Sequence, residues 1–141
     1  MGKYKIMKTS ITICGSMDFF TEIEQLKEEL GNLGFAVLTP DKEGTSIDYS
    51  RLSKQEQINL KQNFIDKHIE KIRRSDSILV ANYTKNGIKN YIGANTFLEM
   101  AFAYILKKKI FILNDIPTQS NTLEIEGLKP VVLKRDLSLI I

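Results

Sequence analysis

Two short runs of apolar residues, 78–81 and 110–113, constrain the fold of this chain more than any other feature of its sequence. Strands that are apolar on both faces occur where both faces of a parallel sheet are covered. Between the runs, apolar residues recur at spacings that give a helix a wide apolar face. They are Phe97, Met100, Ala101, Tyr104 and Ile105. This stretch predicts a strand–loop–helix–strand unit whose functional loop follows the first strand.

The rest of the chain predicts further strands and helices in alternation. The strands fall at 10–14, 35–38 and 131–133, the long helices near 20–33 and 54–73, and polar loops at 41–51 and 114–121, with a short turn at 123–128. Gly34 ends the first helix, because glycine adopts the left-handed conformation that is common just past a helix end. We predict an α/β three-layer sandwich with a mainly parallel five-stranded sheet in the flavodoxin-like order 2-1-3-4-5.

Length and charge limit the classes of function. The 141 residues predict one domain, 1–141, and the net charge of +3 is dispersed along the chain, which does not favour a nucleic acid polymer as partner. No apolar run approaches the roughly 20 residues that cross a bilayer, so no membrane partner is expected. The apolar part of the first fourteen residues predicts a strand, not a signal peptide. The single cysteine, Cys14, excludes an internal disulfide and a cysteine metal cluster, and a cytoplasmic location is expected.

Polar residues gather where the strands of such a sheet end. Gly15 and Ser16 lie between a strand and a helix N-terminus, where free N–H groups favour an anion. The alternative is a tight turn with Ser16 as the N-cap of the helix. Asn82, Tyr83 and Tyr91 follow the third strand, and they either form turns or hydrogen-bond a base or a ribose.

The sequence also places one acidic residue, Glu99, close to this edge, and two interpretations of it are open. The spacing of Thr96 and Glu99 fits a capping box, which needs no substrate. Alternatively, a carboxylate beside this polar loop, partly shielded by Phe19, Phe20 or Tyr91, acts as a nucleophile at a sugar carbon.

His68 lies on the apolar stripe of the long helix, between Ile65 and Ile69. A histidine in this position is either a hydrogen-bonded core residue or an acid–base catalyst near neutral pH. The spacing of residues shows no metal-binding motif and no nucleotide-binding or nucleophile-elbow motif, so neither a metal nor a cofactor is expected.

Several segments in order are similar to the nucleoside 2-deoxyribosyltransferase superfamily, which includes deoxynucleoside monophosphate N-glycosidases. They are ITICGS, a strand ending in LTP, RRSDSILVAN and NTFLEMAFAYILKKKIFIL, and they span roughly residues 11–113. The resemblance implies a flavodoxin-like fold and a glutamate that attacks the sugar. The family segment Gly-Thr-x-x-Glu-x-Gly matches Asn95, Thr96, Glu99 and Ala101, so Thr and Glu remain while both glycines are replaced. In the phosphate-using members, the pair that matches Gly15 and Ser16 helps to hold a 5′-phosphate.

The chain departs from the family pattern at three further places. Met17 and Asp18 replace the arginine that usually follows the Gly-Ser pair. His68 replaces an aspartate on the helix before the third strand and is expected to be the proton donor to the leaving base. Gly93 stands where the family has another aspartate, in a segment, 86–93, characteristic of a poorly described branch of small proteins.

The resemblance implies N-glycosidic bond hydrolysis or deoxyribosyl transfer on a nucleoside or nucleoside 5′-monophosphate. Glu99 would be the nucleophile, and Tyr91 and Asn82 would position sugar and base. The expected substrate-binding residues are Gly15, Ser16, Phe19, Asn82, Tyr83, Tyr91, Gly93, Asn95 and Thr96.

A second hypothesis is a nucleotide-binding sensor or partner module without catalysis. A third is a structural subunit that pairs with its own copies through Phe102 or Tyr104. A homodimer or larger homo-oligomer is expected, since neighbouring subunits often complete the family's sites.

Overall fold

A parallel sheet lies at the centre of the computed structural model, which describes residues 9–41 and 47–141. Its strands are β1 Ser10–Cys14, β2 Ala36–Leu38, β3 Ser77–Val80, β4 Lys109–Ile112 and β5 Val131–Val132, and its helices are α1 Phe20–Asn32, α2 Lys54–Arg74, α3 Ala94–Ile105 and α4 Thr122–Gly127. The strand order is β2-β1-β3-β4-β5, and each neighbouring pair is parallel. This confirms the predicted fold class and strand order.

The sheet is buried on both faces, as its apolar strands predicted. On one face, α1 packs Ile23, Leu26 and Leu30 against the sheet, and each of these side chains is at most 6% exposed. On the other face, Ile72 of α2 and Met100 of α3 are fully buried. Burying one such side chain contributes about 1.5–3 kcal/mol. The two apolar layers hold the strand ends, and the loops that follow them, in fixed positions.

The ends of α1 and α2 have clear local causes. Ser53 caps α2 by accepting from the Glu56 N–H, and Glu56 accepts from the Ser53 N–H in return. Gly34 takes a φ of 98° directly after α1, as predicted from its position. These signals fix the course of α2, which carries His68 past the end of β1.

The start of α3 differs from the prediction. The helix begins at Ala94 with Gly93 as its N-cap, and no side chain caps it. Thr96 is therefore inside the first turn and Glu99 is in the second, so the capping-box interpretation of these two residues is wrong. The cause is that the chain enters the helix two residues before Thr96, and this leaves the Glu99 carboxyl free for other contacts.

Two further sequence predictions concern the polar loop 41–51 and membrane spans. Residues 42–46 of the predicted polar loop 41–51 lie outside the described residues. Among the helices that are described, none is long and apolar enough to cross a membrane.

Candidate active site

A cavity of about 460 Å³ lies at the carboxyl edge of the sheet, between the β1–α1 turn, α2 and the first turns of α3. Most of the sequence-predicted site residues line it. They are Gly15, Ser16, His68, Tyr91, Gly93, Asn95, Thr96 and Glu99. The edge expected from the strand order thus brings together residues that are up to 84 positions apart in the chain.

At the base of this cavity, three side chains from three elements meet. His68 Nε2 on α2 lies 3.4 Å from Glu99 Oε2 on α3 and 3.5 Å from Cys14 Sγ at the end of β1. The Cys14 thiol also hydrogen-bonds the Glu99 carboxyl. Cys14 is fully buried and only 8% of the His68 side chain is exposed, whereas 20% of the Glu99 side chain remains exposed. Glu99 is therefore the member of this cluster that a ligand in the cavity reaches first.

Burial raises the pKa of Glu99 from 4.5 to about 8. The hydrogen bond from Cys14 and the positive charge of Lys61 oppose this rise but do not cancel it. Removing a carboxylate from water disfavours its charged form. At neutral pH the Glu99 carboxyl therefore carries its proton in the absence of a ligand.

The pKa of His68 is shifted in the opposite direction, downward. Its pKa is lowered from 6.5 to about 4, mainly by burial and also by the nearby Lys71 ammonium, against the opposing effect of Asp41. Lys71 itself is held by an ion pair with Asp41 and by donating to the Thr39 carbonyl at 2.8 Å. The imidazole is neutral at pH 7, so the His68–Glu99 pair holds one proton over the range between the two pKa values.

Gly15 and Ser16 occupy the expected place beside the cavity. A Cβ at Gly15 would lie 3.1 Å from the Ala81 carbonyl oxygen, so close packing of β1 on β3 explains this glycine. Ser16 caps a short 3-10 turn, Met17–Phe19, by accepting from the Asp18 N–H. The structure thus places the turn between β1 and α1 as predicted and gives Ser16 its capping role.

Lys85 brings a positive charge to this turn. Its Nζ donates to Ser16 Oγ at 3.0 Å and lies 2.7 Å from the Asp18 carboxylate. Lys85 comes from the loop between β3 and α3, 69 residues away in the chain. A cation is therefore present beside Ser16 although the sequence after the Gly-Ser pair supplies none.

The loop before α3 places Tyr91 against the cavity wall. The Tyr91 N–H donates to the Tyr83 carbonyl at 2.9 Å, and the Tyr91 ring lies 3.4 Å from where a Cβ on Gly93 would be. Asn95 is exposed and Thr96 is 6% exposed. Of these residues, Tyr91 and Asn95 have side chains that a ligand can contact without rearrangement of the helix.

Three predicted substrate-binding residues lie outside the cavity lining. The Phe19 and Tyr83 rings pack on each other, with centroids 5.1 Å apart, and cover the core on the α1 side. Asn82 is 1% exposed, and its amide accepts from the Asn114 N–H at 2.9 Å and donates to the Asp115 carbonyl at 3.0 Å. Asn82 thus joins the ends of β3 and β4, and its role in positioning sugar and base stays a prediction.

Sequence reasoning missed Cys14 and Lys85 as members of the site. Cys14 ends an apolar strand, and its burial alone indicates a core residue. Lys85 stands in a loop with other polar residues and has no motif around it. The one signal for Cys14 is its register: the last residue of a strand beside the Gly-Ser turn must reach the carboxyl edge.

Comparison with known proteins gives matches in structure and none in sequence families. No protein-family model matches the chain, and no curated protein matches it by sequence. A 2-deoxyribosyltransferase from Bacillus psychrosaccharolyticus superposes with a TM-score of 0.54 at 17% identity, over 74% of this chain and 71% of that one. A 2-desoxiribosyltransferase from Leishmania mexicana gives a TM-score of 0.52 at 18% identity, over 75% of this chain and 64% of that one, which is just under two thirds of its length. The chain has a nucleoside 2-deoxyribosyltransferase-like fold.

Proposed function

We propose that this chain acts on the N-glycosidic bond of a nucleoside or nucleoside 5′-monophosphate, by deoxyribosyl transfer or by hydrolysis. The observation that carries the proposal is the Glu99 carboxyl, mostly buried and in contact with His68, at the wall of a cavity large enough for a small ligand. The fold shared with two 2-deoxyribosyltransferases supports the same class of reaction.

In the proposed mechanism, the proton of the pair moves from Glu99 to His68 when substrate binds. This one transfer produces both a carboxylate nucleophile and an imidazolium acid, since the two groups lie 3.4 Å apart. The carboxylate forms a bond to the anomeric carbon while the C–N bond breaks. The leaving base takes the proton from His68, and a glycosyl ester of Glu99 results.

The second half of the reaction resolves this ester. Water or an acceptor base attacks the anomeric carbon, the ester bond breaks, and His68 takes up the proton that the nucleophile loses. Two displacements at the same carbon retain its configuration. A hydrolase and a transferase differ here only in which acceptor reaches the ester, so the pair serves either outcome.

Substrate binding is proposed to involve both sides of the cavity. Tyr91 and Asn95 would contact the sugar or the base from the α3 side. Ser16 and Lys85 would hold a 5′-phosphate, because a hydroxyl and an ammonium 3.0 Å apart suit an anion at the helix N-terminus. The Asp18 carboxylate pairs with the same Lys85 ammonium, so a phosphate would have to compete with it and would bind more weakly.

One observation favours a second candidate, a binding module without catalysis. A carboxyl whose pKa is about 8 is protonated at neutral pH and can donate a hydrogen bond to a ligand. In that case Glu99 would recognise an acceptor on the ligand and no bond would break.

We also propose that the chain is one domain and forms homo-oligomers. Several large apolar side chains at the end of the molecule opposite the cavity are exposed, and they surround one surface hollow: Tyr104, Ile105, Val131, Leu139 and Ile141. Clustered exposed apolar side chains of this kind are typical of interaction surfaces.

A chromatographic screen for free base tests the function. Nucleosides and their 5′-monophosphates are incubated with the protein and a chelator, with and without an acceptor base. We expect base release by the wild type and a loss of at least about a thousandfold in kcat for Glu99→Gln. The matched control is Glu70→Gln, an exposed carboxylate on α2, which should retain full activity.

The outcomes separate the candidates. Release only with acceptor identifies a transferase, and release without it identifies a hydrolase. Ligand binding without release by the folded protein supports the binding module. Release by Glu99→Gln at the wild-type rate contradicts the proposed nucleophile.

A further inference from the structure

Three metal-ligating side chains converge at the base of the cavity. Cys14 Sγ, His68 Nε2 and a Glu99 carboxylate oxygen all lie within 4.8 Å of one another. They come from β1, α2 and α3, so the spacing of these residues in the sequence does not predict the cluster. Cysteine, histidine and glutamate are each common zinc ligands, and zinc sites with one open position typically use three protein ligands.

Two of the three separations between these atoms agree with tetrahedral coordination. Zinc bonds of about 2.3 Å to sulfur and about 2.0–2.1 Å to nitrogen or oxygen place sulfur and nitrogen about 3.5 Å apart, and nitrogen and oxygen about 3.3–3.4 Å apart. The structure has 3.5 Å between Cys14 Sγ and His68 Nε2, and 3.4 Å between His68 Nε2 and Glu99 Oε2. These two pairs already have the spacing that one ion between them requires.

We propose that Cys14, His68 and Glu99 bind one Zn²⁺ ion, with a water molecule from the cavity as the fourth ligand. The proposal does not depend on the glycosidic function. The soft sulfur ligand and the imidazole favour zinc over magnesium or calcium, which prefer oxygen ligands.

The charge balance of the site suits a divalent ion. On binding, the Cys14 thiol and the Glu99 carboxyl each release a proton to solvent. The thiolate and the carboxylate then neutralise the two charges of the ion, so no net charge is buried. His68 and Glu99 line the cavity, which gives the ion a route to the fully buried Cys14 sulfur.

Zinc at this position would also remove Glu99 from glycosidic chemistry. The carboxylate oxygen bound to the ion is unavailable to attack a sugar carbon, and His68 Nε2 is unavailable to protonate a base. Bound zinc is therefore expected to inhibit the proposed reaction and to act as an off state of the same site.

Titration of the reduced, chelator-treated protein with Co²⁺ tests the site directly. We expect one Co²⁺ per chain, visible absorption bands of tetrahedral cobalt, and a near-ultraviolet thiolate-to-cobalt band, all removed by stoichiometric Zn²⁺. The thiolate band reports Cys14 specifically, because Cys14 is the only cysteine in the chain. This readout uses no nucleoside, so its failure is separate from a failure of the proposed function.

Variants localise the ion. Cys14→Ala and Glu99→Gln should each weaken Co²⁺ binding at least tenfold, and Cys14→Ala should abolish the thiolate band. The control Glu70→Gln should leave affinity and spectrum unchanged. Glu99 is partly exposed, so Glu99→Gln gives a folded variant even if the change at the buried Cys14 does not. Absence of stoichiometric binding, octahedral spectra without a thiolate band, or unchanged affinity in Glu99→Gln would each overturn the proposal.

Discussion

Glu99 and His68 show how burial alone can give two neighbouring side chains complementary roles. Desolvation favours the neutral form of each, so it raises the pKa of the acid to about 8 and lowers that of the base to about 4. The 3.4 Å contact between them then allows one proton to pass from one to the other. In the proposed mechanism, this environment, more than the residue types, would make Glu99 the nucleophile and His68 the acid.

This pair predicts a bell-shaped pH profile for base release from a nucleoside by the chelator-treated protein. Below about pH 4 both groups carry a proton and the nucleophile is blocked. Above about pH 8 the pair has lost its proton and the leaving base has no acid. We expect kcat/KM to fall on both sides, with apparent pKa values that belong to the pair. A nucleoside is used because a phosphate titrates within this range.

His68→Gln tests the assignment of the proton donor. We expect kcat to fall by about 10²–10⁴-fold, because the leaving base then departs without general acid catalysis. Substrates with better leaving groups should recover much of the loss. An unchanged kcat would contradict the role of His68.

The raised pKa of Glu99 also predicts how stability depends on pH. The unfolded chain ionises near the ordinary value of 4.5, whereas the folded protein keeps the proton until about pH 8. The stabilisation is therefore full below pH 4.5 and is lost as pH rises through this window. The amide in the Glu99→Gln variant cannot ionise, so the variant does not lose this stabilisation. The free energy of unfolding of Glu99→Gln relative to that of the wild type should therefore rise by about 2–3 kcal/mol between pH 4 and pH 7.

Urea unfolding at several pH values measures this difference. Glu70→Gln, at an exposed position with 58% of the side chain accessible, should show no comparable trend and serves as the control. A Glu99→Gln difference that is constant with pH would contradict the raised pKa.

At the scale of elements, the sequence predicted most of the fold. The strands and helices were placed to within a residue or two because apolar periodicity and turn residues act locally, as Gly34 shows. The strand order was predicted as the favoured flavodoxin-like arrangement, which the sequence alone does not determine, and the structure confirms it. The exception is the start of α3, where the predicted N-cap, Thr96, and the observed N-cap, Gly93, lie three residues apart.

The site was less predictable, because its contacts join distant elements. Glu99 and His68 were found from their position and from a family resemblance, but their mutual contact needs the packing of α2 on α3. The contacts of Asn82 were not predicted, because a buried amide that joins β3 to β4 and a ligand-binding amide look the same in the sequence. Cys14 and Lys85 were missed, since neither residue is near its partners in the chain.

The loop between β3 and α3 predicts a specific effect on phosphate-bearing substrates. Lys85→Gln removes the ammonium beside Ser16. A hydrogen bond to a charged group is worth about 1.5–3 kcal/mol, so we expect kcat/KM for a nucleoside 5′-monophosphate to fall at least about tenfold. The matching nucleoside should change less than about twofold. Steady-state kinetics on the two substrates measures both.

Asp18→Asn is the reciprocal variant. It frees Lys85 from its ion pair, so it should improve kcat/KM for the monophosphate and leave the nucleoside unchanged. Equal losses with both substrates in Lys85→Gln would show that Lys85 supports the loop and does not bind phosphate.

At the scale of the whole molecule, two contrasting surfaces lie at opposite ends of the sheet. The carboxyl edge carries the cavity with Glu99. The amino edge carries the exposed apolar side chains that follow the end of α3, where Ile105 is 72% exposed. An oligomer formed through this amino-edge surface would leave each cavity open and built from one chain only.

This separation leads to a prediction about assembly and activity together. Ile105→Lys places a charge in the amino-edge surface, and we expect it to shift the protein toward monomer in sedimentation measurements across a range of concentrations. The fold should persist, because the replaced side chain is mostly exposed. Leu123→Lys, at an equally exposed apolar position on α4 outside this surface, should leave assembly unchanged. Since Glu99 and His68 belong to the same chain, base release per chain should be the same in monomer and oligomer. If activity is lost when Ile105→Lys prevents association, a partner chain completes the cavity. If the wild type is monomeric at every concentration, the proposed assembly is contradicted.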